Sequence, residues 1–119
     1  MNRAGDVTPA DVFELLADEY ARRILVAADR RPMTAKALSD ACDASLATVY
    51  RRASMLEEHG LLEERRTIGS DGTHRRKFET VLEELHVDLS EGELTVSVDT
   101  RDELADNFTS LWDELRGSR

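Results

Sequence analysis

The side chains of this chain best suited to a chemical task are basic and come in runs: Arg51-Arg52, Arg65-Arg66 and Arg75-Arg76-Lys77. Thr34 and then Ser45, Ala47, Thr48 and Tyr50 stand ahead of the first run as further candidate DNA contacts, and His74 ahead of the last. Guanidinium forks match guanine edges and phosphate oxygens, hydroxyls reach either, and an alanine methyl can touch a thymine methyl, so these residue types suit binding to double-stranded DNA. No comparable set exists for making or breaking bonds. His59, His74 and His86 are dispersed, and the single Cys42 leaves neither a disulfide framework nor a Cys/His metal spacing. Gly69-Ser70-Asp71-Gly72 lacks the lysine and following helix of a phosphate loop. No catalytic residue, metal or cofactor is expected.

The first basic run needs a helix to present it. From Thr34 to Leu62 the pattern reads as two helices joined by a very short turn, the spacing of a helix-turn-helix. Thr34 caps the first, with Leu38, Ala41 and Cys42 inward; Asp43-Ala44 turns the chain; Ser45 caps the second, which spans 45–59. On that second helix Leu46, Val49, Ala53 and Leu56 share the inner face. Thr48, Arg51, Arg52 and Met55 therefore point outward, with Tyr50 nearer the inner side by phase. Gly60 suits a left-handed helix end and Leu61 the apolar residue that follows it. Two such helices alone also occur in bundles that bind nothing.

The next segment weighs toward DNA. LLEERRTIGSDGTHRRKFET reads as two extended arms around the Gly69–Gly72 tip, with Arg65, Arg66, His74, Arg75, Arg76 and Lys77 on the arms. A basic hairpin directly after a recognition helix is a wing, here 65–77. On FELLADEYARRILVAA, SLATVYRRASMLEEHGLL and this hairpin, the sequence resembles the winged helix-turn-helix transcription regulators, and most closely the ArsR-like proteins of halophilic archaea. The resemblance covers roughly residues 12 to 80. It implies a homodimer that sets two recognition helices into successive major grooves, with the wings on flanking backbone or minor groove. Some ArsR-type proteins sense metals through clustered cysteines, a pattern from which one cysteine departs.

Overall charge argues the other way, since 25 acidic against 16 basic residues give a net of −9. Position resolves much of this: Ser45 to Lys77 carries seven basic and five acidic residues, whereas Thr80 to Arg119 carries three basic and eleven acidic ones. The negative charge lies away from the candidate DNA face. Only Lys36 and Lys77 are lysines. A carboxylate-rich, lysine-poor surface suits a salt-filled cytoplasm, where its self-repulsion is screened. With no long apolar run and no signal-like start, a cytoplasmic protein is expected rather than a membrane one.

The remaining elements must support the reading pair. Thr8-Pro9 opens a first helix with Val12, Phe13 and Leu16 inward; Asp18 caps a second with Tyr20, Ile24, Leu25 and Ala28 inward. Beyond the wing, Leu85, Val87 and Leu89 alternate, as do Leu94, Val96 and Val98, around a Glu91-Gly92 turn. All six then share one face of a second hairpin. Thr100 next caps an amphipathic helix with Leu104, Phe108, Leu111, Trp112 and Leu115 on its apolar stripe, expected to pair with a twin. The expected fold is thus α+β in a single domain, 1–119: winged helix core 8–80, added β-hairpin 81–99 and C-terminal dimerisation helix 100–116. The expected partners are double-stranded DNA and a second copy. The alternative is a winged domain that docks a protein of the transcription machinery and reads no sequence.

Overall fold

Side-chain caps fix where the helices start. In the computed structural model, which describes residues 9–29 and 31–101, α1 (Pro9–Ala17) opens on its proline and α2 (Glu19–Ala27) on Asp18, whose Oδ2 accepts from Ala21 N at 2.8 Å. Thr34 Oγ1 accepts from Ala37 N at 3.1 Å to start α3 (Ala35–Cys42), and Ser45 Oγ accepts from Thr48 N at 3.1 Å to start α4 (Leu46–Glu58). Between them Asp43 takes a left-handed φ of 53°, a conformation that aspartate tolerates, and Ser39 Oγ donates to Ala44 O to close the turn. At the far end of α4, Gly60 (φ 79°) lets Leu61 N reach Leu56 O at 2.9 Å and Gly60 N reach Glu57 O at 3.0 Å. That is the left-handed helix end expected from Gly60-Leu61.

Two separate antiparallel hairpins follow: β1 (Leu62–Ile68) with β2 (His74–Thr80), and β3 (Leu82–Ser90) with β4 (Glu93–Thr100). The first is rooted in the helical core. Phe78 is 1% exposed and exchanges both backbone bonds with Met33 at 2.8 Å, just before α3. Thr80 is buried and binds α2 twice, through Oγ1 to Leu25 O at 2.8 Å and N to Ala28 O at 3.1 Å. Ile24, Leu38, Val49, Ala53, Leu56, Leu61 and Leu62 fill the space beneath. Among the described residues no helix is long and apolar enough to cross a membrane.

The second hairpin has the expected register: Leu89 faces Leu94, Val87 faces Val96 and Leu85 faces Val98. Glu91 and Gly92 both have positive φ, 51° and 77°, as a two-residue turn between right-twisted strands demands. A bulge between Leu82 and Glu84 precedes this register. Its root joins the core through Val98 and is tied down by Arg101, whose N–H bonds Val81 O at 2.9 Å and whose guanidinium pairs with Asp29, Glu83 and Glu79.

Several inward assignments differ from the periodicity. In α1 the buried residues are Val12 and Leu15, with Leu16 only partly buried and Phe13 40% exposed. Among the described residues this helix packs mainly against α2 and β4, and its i, i+3 pair, Val12 and Leu15, is the part that is buried. Tyr20 lies outside beneath the Arg23 guanidinium, 5.5 Å from its ring centre, while Ala21, Ile24 and Leu25 face in. In α3 Ala35 takes the inner place expected of Ala41. Leu46, the first residue of α4, is 44% exposed, and the buried stripe of the helix begins at Val49. The Thr8 cap and the Leu104, Phe108, Leu111, Trp112 and Leu115 stripe lie outside the described residues.

Candidate nucleic-acid interface

Burial of Val49, Ala53 and Leu56 sets which side of α4 is offered outward. Ala47, Tyr50, Arg51, Ser54 and Glu58 are exposed, and Thr48 is half-buried at the capped end. Ala47, Arg51, Ser54 and Glu58 recur at helical spacing, so they form one row. Ser54 was not among the expected contacts, although its place three residues after Arg51 marks it. Tyr50 differs from its expected inner position: it is 47% exposed, with the Arg76 guanidinium 5.9 Å from its ring centre. The stripe needs only one residue per turn, which leaves Tyr50 on the flank that meets the wing.

Arg52 is the principal departure. Its Nε donates to Asp18 Oδ2 at 2.8 Å, the same oxygen that caps α2, and both side chains are only about a quarter exposed, at 25% and 27%. The hydrogen bond from Arg52 holds the Asp18 carboxyl below its ordinary range, and Asp18 in turn raises Arg52. Arg52 therefore sets the angle of α4 against α2, a positioning task rather than an outward one. We expect Arg52→Ala to cost about 1–2 kcal/mol, between the range of charged hydrogen bonds and that of surface ion pairs. A carboxyl depressed in the folded state contributes stability above its unfolded pKa and loses it as pH falls through the folded value. Denaturant titrations of wild type and Arg52→Ala should thus differ at neutral pH and converge in acid.

The wing strands sort their cations by face. The register pairs Arg66 with Arg76, Ile68 with His74 and Glu64 with Phe78 on the side that carries buried Phe78; Arg65 with Lys77 and Thr67 with Arg75 lie on the other. On the Phe78 side Glu64 Oε2 stands 2.9 Å from Arg76 Nε and 3.4 Å from Arg66 Nε. Arg76 sits off the hydrogen-bonding direction, so this buried oxygen holds it as an ion pair alone. Arg76 also covers the Phe78 ring at 5.0 Å. Nearby Glu57 has its carboxyl raised, first by burial and then by the charge of Glu64. On the outer face Arg65 pairs with Glu79 at 2.8 Å and Glu63 at 3.4 Å.

Among the described residues, Arg51 on α4 and Arg75 and Lys77 on the wing are exposed or half-exposed cations with no ion pair. Arg52, Arg65, Arg66 and Arg76 are each held by carboxylates. His74 is exposed near the tip, where Asp71 Oδ1 accepts from Thr73 N and Oγ1 at 3.1 and 2.7 Å, bonds that lower its pKa. Thr34 and Ser45 spend their hydroxyl oxygens on helix caps. Ser45 Oγ also donates to Thr48 Oγ1 at 3.0 Å. The one described group able to converge on a cation is Glu84, His86 and Asp99 on the polar face of the second hairpin, their ligand atoms within 4.8 Å of one another. His86 Nε2 lies 2.9 Å from Asp99 and 3.2 Å from Glu84, so the imidazole already spans the two carboxylates.

A family described as "Helix-turn-helix domain" matches residues 9–65, which run from α1 into β1. No curated protein matches the chain. Among solved structures, the homodimeric winged helix-turn-helix DNA-binding domain of a possible ArsR-family transcriptional regulator from Mycobacterium bovis is similar at TM-score 0.51 and 20% identity, over 92% of this chain and 82% of that one. An ArsR family transcriptional regulator gives 0.49 and 19% over 92% and 97%. A possible transcriptional regulator from Methanosarcina mazei gives 0.42 and 17% over 92% and 73%. The first likeness, with the order of elements, shows the fold to be a winged helix-turn-helix.

Proposed function

We propose that this protein is a sequence-specific, double-stranded DNA-binding transcription regulator of the ArsR-like type, acting in the cytoplasm as a homodimer. In this reading α4 enters the major groove and the wing lies on flanking backbone or minor groove. The observation that carries it is the outward row of α4, where Arg51 is solvent-facing and unpaired beside Ala47, Ser54 and the flanking Tyr50. An arginine held by no carboxylate can give both donors of its fork to guanine. Arg51→Ala should therefore cost about 1–3 kcal/mol in specific binding and relax preference at one base position, with folding unchanged. Unaltered affinity and preference in a gel-shift titration would remove α4 as the reader.

The wing's contribution belongs to Arg75 and Lys77, which have no carboxylate to leave before meeting a phosphate. Replacing both by alanine should weaken binding nearly equally for specific and random DNA and flatten the plot of log K against log salt by about two units. Replacing Arg76 should instead loosen the Glu64, Tyr50 and Phe78 contacts. Equal salt slopes for wild type and the double variant would contradict this division. The acidic remainder of the surface suits high salt, where charge repulsion is screened within about 3 Å at 1 M, in keeping with a protein of the haloarchaeal type.

A second reading has one observation in its favour: four arginines of the DNA-facing set are already neutralised by Asp18, Glu63, Glu64 and Glu79. A winged module that docks a protein of the transcription machinery would need no more free cations than this. The salt slope separates the two, because only phosphate contacts release counterions.

A further inference from the structure

Two wing cations face each other across the hairpin with a carboxylate between them. Arg66 pairs in register with Arg76, on the face that carries buried Phe78. Like charges placed directly opposite repel. Glu64 stands two residues before Arg66 on the same strand and so on the same face. Its Oε2 lies 2.9 Å from Arg76 Nε and 3.4 Å from Arg66 Nε, and this one oxygen offsets the repulsion of the pair. The oxygen is buried and accepts no hydrogen bond, so what compensates its charge is the two ion pairs.

We propose that Glu64 restrains Arg66 and Arg76 from DNA phosphate and so sets how tightly the wing holds any duplex, an inference that rests on the DNA-binding reading above. The two arginines reach solvent, with side chains 72% and 46% exposed, whereas the carboxylate between them is withdrawn at 22%. A guanidinium that moves off to a phosphate leaves that withdrawn charge short of a partner, and the loss opposes each such contact. Glu57 on α4 adds to it, because its carboxyl already feels the charge of Glu64 and is held down by Arg76. Arg75 and Lys77 have no carboxylate to leave and meet no such opposition.

Position decides that the restraint bears on DNA. The Arg76 guanidinium lies 5.9 Å from the ring centre of Tyr50, the neighbour of Arg51 on α4. Arg76 therefore stands at the junction of helix and wing. With α4 in a major groove and the wing on flanking backbone, the phosphates between the two contacts pass this junction. Glu64 is thus a fixed negative charge beside the path of a negative strand.

The test is binding of a random-sequence DNA duplex across a potassium chloride series, read by fluorescence anisotropy on wild type, Glu64→Gln and Glu93→Gln. Glu93 is exposed at the turn of the second hairpin, so its variant controls for the loss of one charge. Glu64→Gln should bind about fivefold or more tighter at the low-salt end and steepen the plot of log K against log salt by about one to two units, for one or both arginines released. Glu93→Gln should leave the slope unchanged. Adding Arg66→Gln and Arg76→Gln to Glu64→Gln should take the gain away. A gain that survives the loss of both arginines overturns the proposal, and so does a Glu64→Gln protein that melts and binds like wild type. A further pair of variants keeps the test open if Glu64→Gln does not fold. In the otherwise wild-type chain Arg66→Gln should weaken binding by no more than about twofold and Arg75→Gln by about fivefold at the same low salt. Equal losses would show that Arg66 is already free to bind phosphate, against the proposal. A wild type that binds no duplex at any salt overturns the DNA-binding reading and this inference with it; wild-type binding that Glu64→Gln does not tighten overturns this inference alone.

Discussion

Phe78→Ala should remove a large share of the stability of the fold, about 3–5 kcal/mol for truncating a buried phenylalanine, where a domain of this size has roughly 5–15 kcal/mol in all. The side chain is 1% exposed in the main core cluster, and the Arg76 guanidinium covers it at 5.0 Å. Its backbone exchanges two 2.8 Å bonds with Met33, so the wing is joined at this point to the segment that starts α3. Truncation empties the core and uncovers the Glu64–Arg76 pair that lies between α4 and the wing. Denaturant unfolding should show an early midpoint, and DNA binding should fall with the folded fraction. A variant of near wild-type stability would mean that the wing root carries little of the core's free energy.

In the proposed homodimer, Trp112→Asp should separate the subunits and, with that, end tight DNA binding. The stripe of Leu104, Phe108, Leu111, Trp112 and Leu115 follows a winged unit whose helices already share a core. A carboxylate placed among five apolar residues is costly to bury. Linking two half-site readers raises affinity by about 10²–10⁴ over one alone, so monomerisation should cost affinity on that order. Light scattering beside a gel-shift titration gives both quantities. A folded, dimeric Trp112→Asp protein that still binds operator tightly would place the subunit contact elsewhere.

What could be read from the sequence was local. Ser45, Gly60 and Leu61 bracket α4 because caps act within a few residues, and the alternation around Glu91-Gly92 sets the register of the second hairpin because a one-residue slip would send the apolar side chains of the two strands to opposite faces. What could not be read was the partner of each charge. Arg52 and Asp18 are 34 positions apart, and Arg65 and Glu79 are 14 apart. Counting signs along the chain gave a net positive stretch from Ser45 to Lys77, but only the folded packing shows that most of those arginines are held by carboxylates. Tyr50 and Phe13 were misplaced for a related reason. Each lies next to a buried residue, Val12 or Val49, and periodicity alone does not say where a buried stripe ends.

The most direct measurement is selection of double-stranded DNA from a random pool by the intact protein, at several potassium chloride concentrations, beside Arg51→Ala. A two-fold related site whose half-sites lie about 34 Å apart, one helical turn, should be enriched. The binding constant should fall steeply with salt, and Arg51→Ala should lose preference at one matched position in each half-site. A pool that stays random while the wild-type protein is folded and dimeric would contradict the claim that α4 reads DNA.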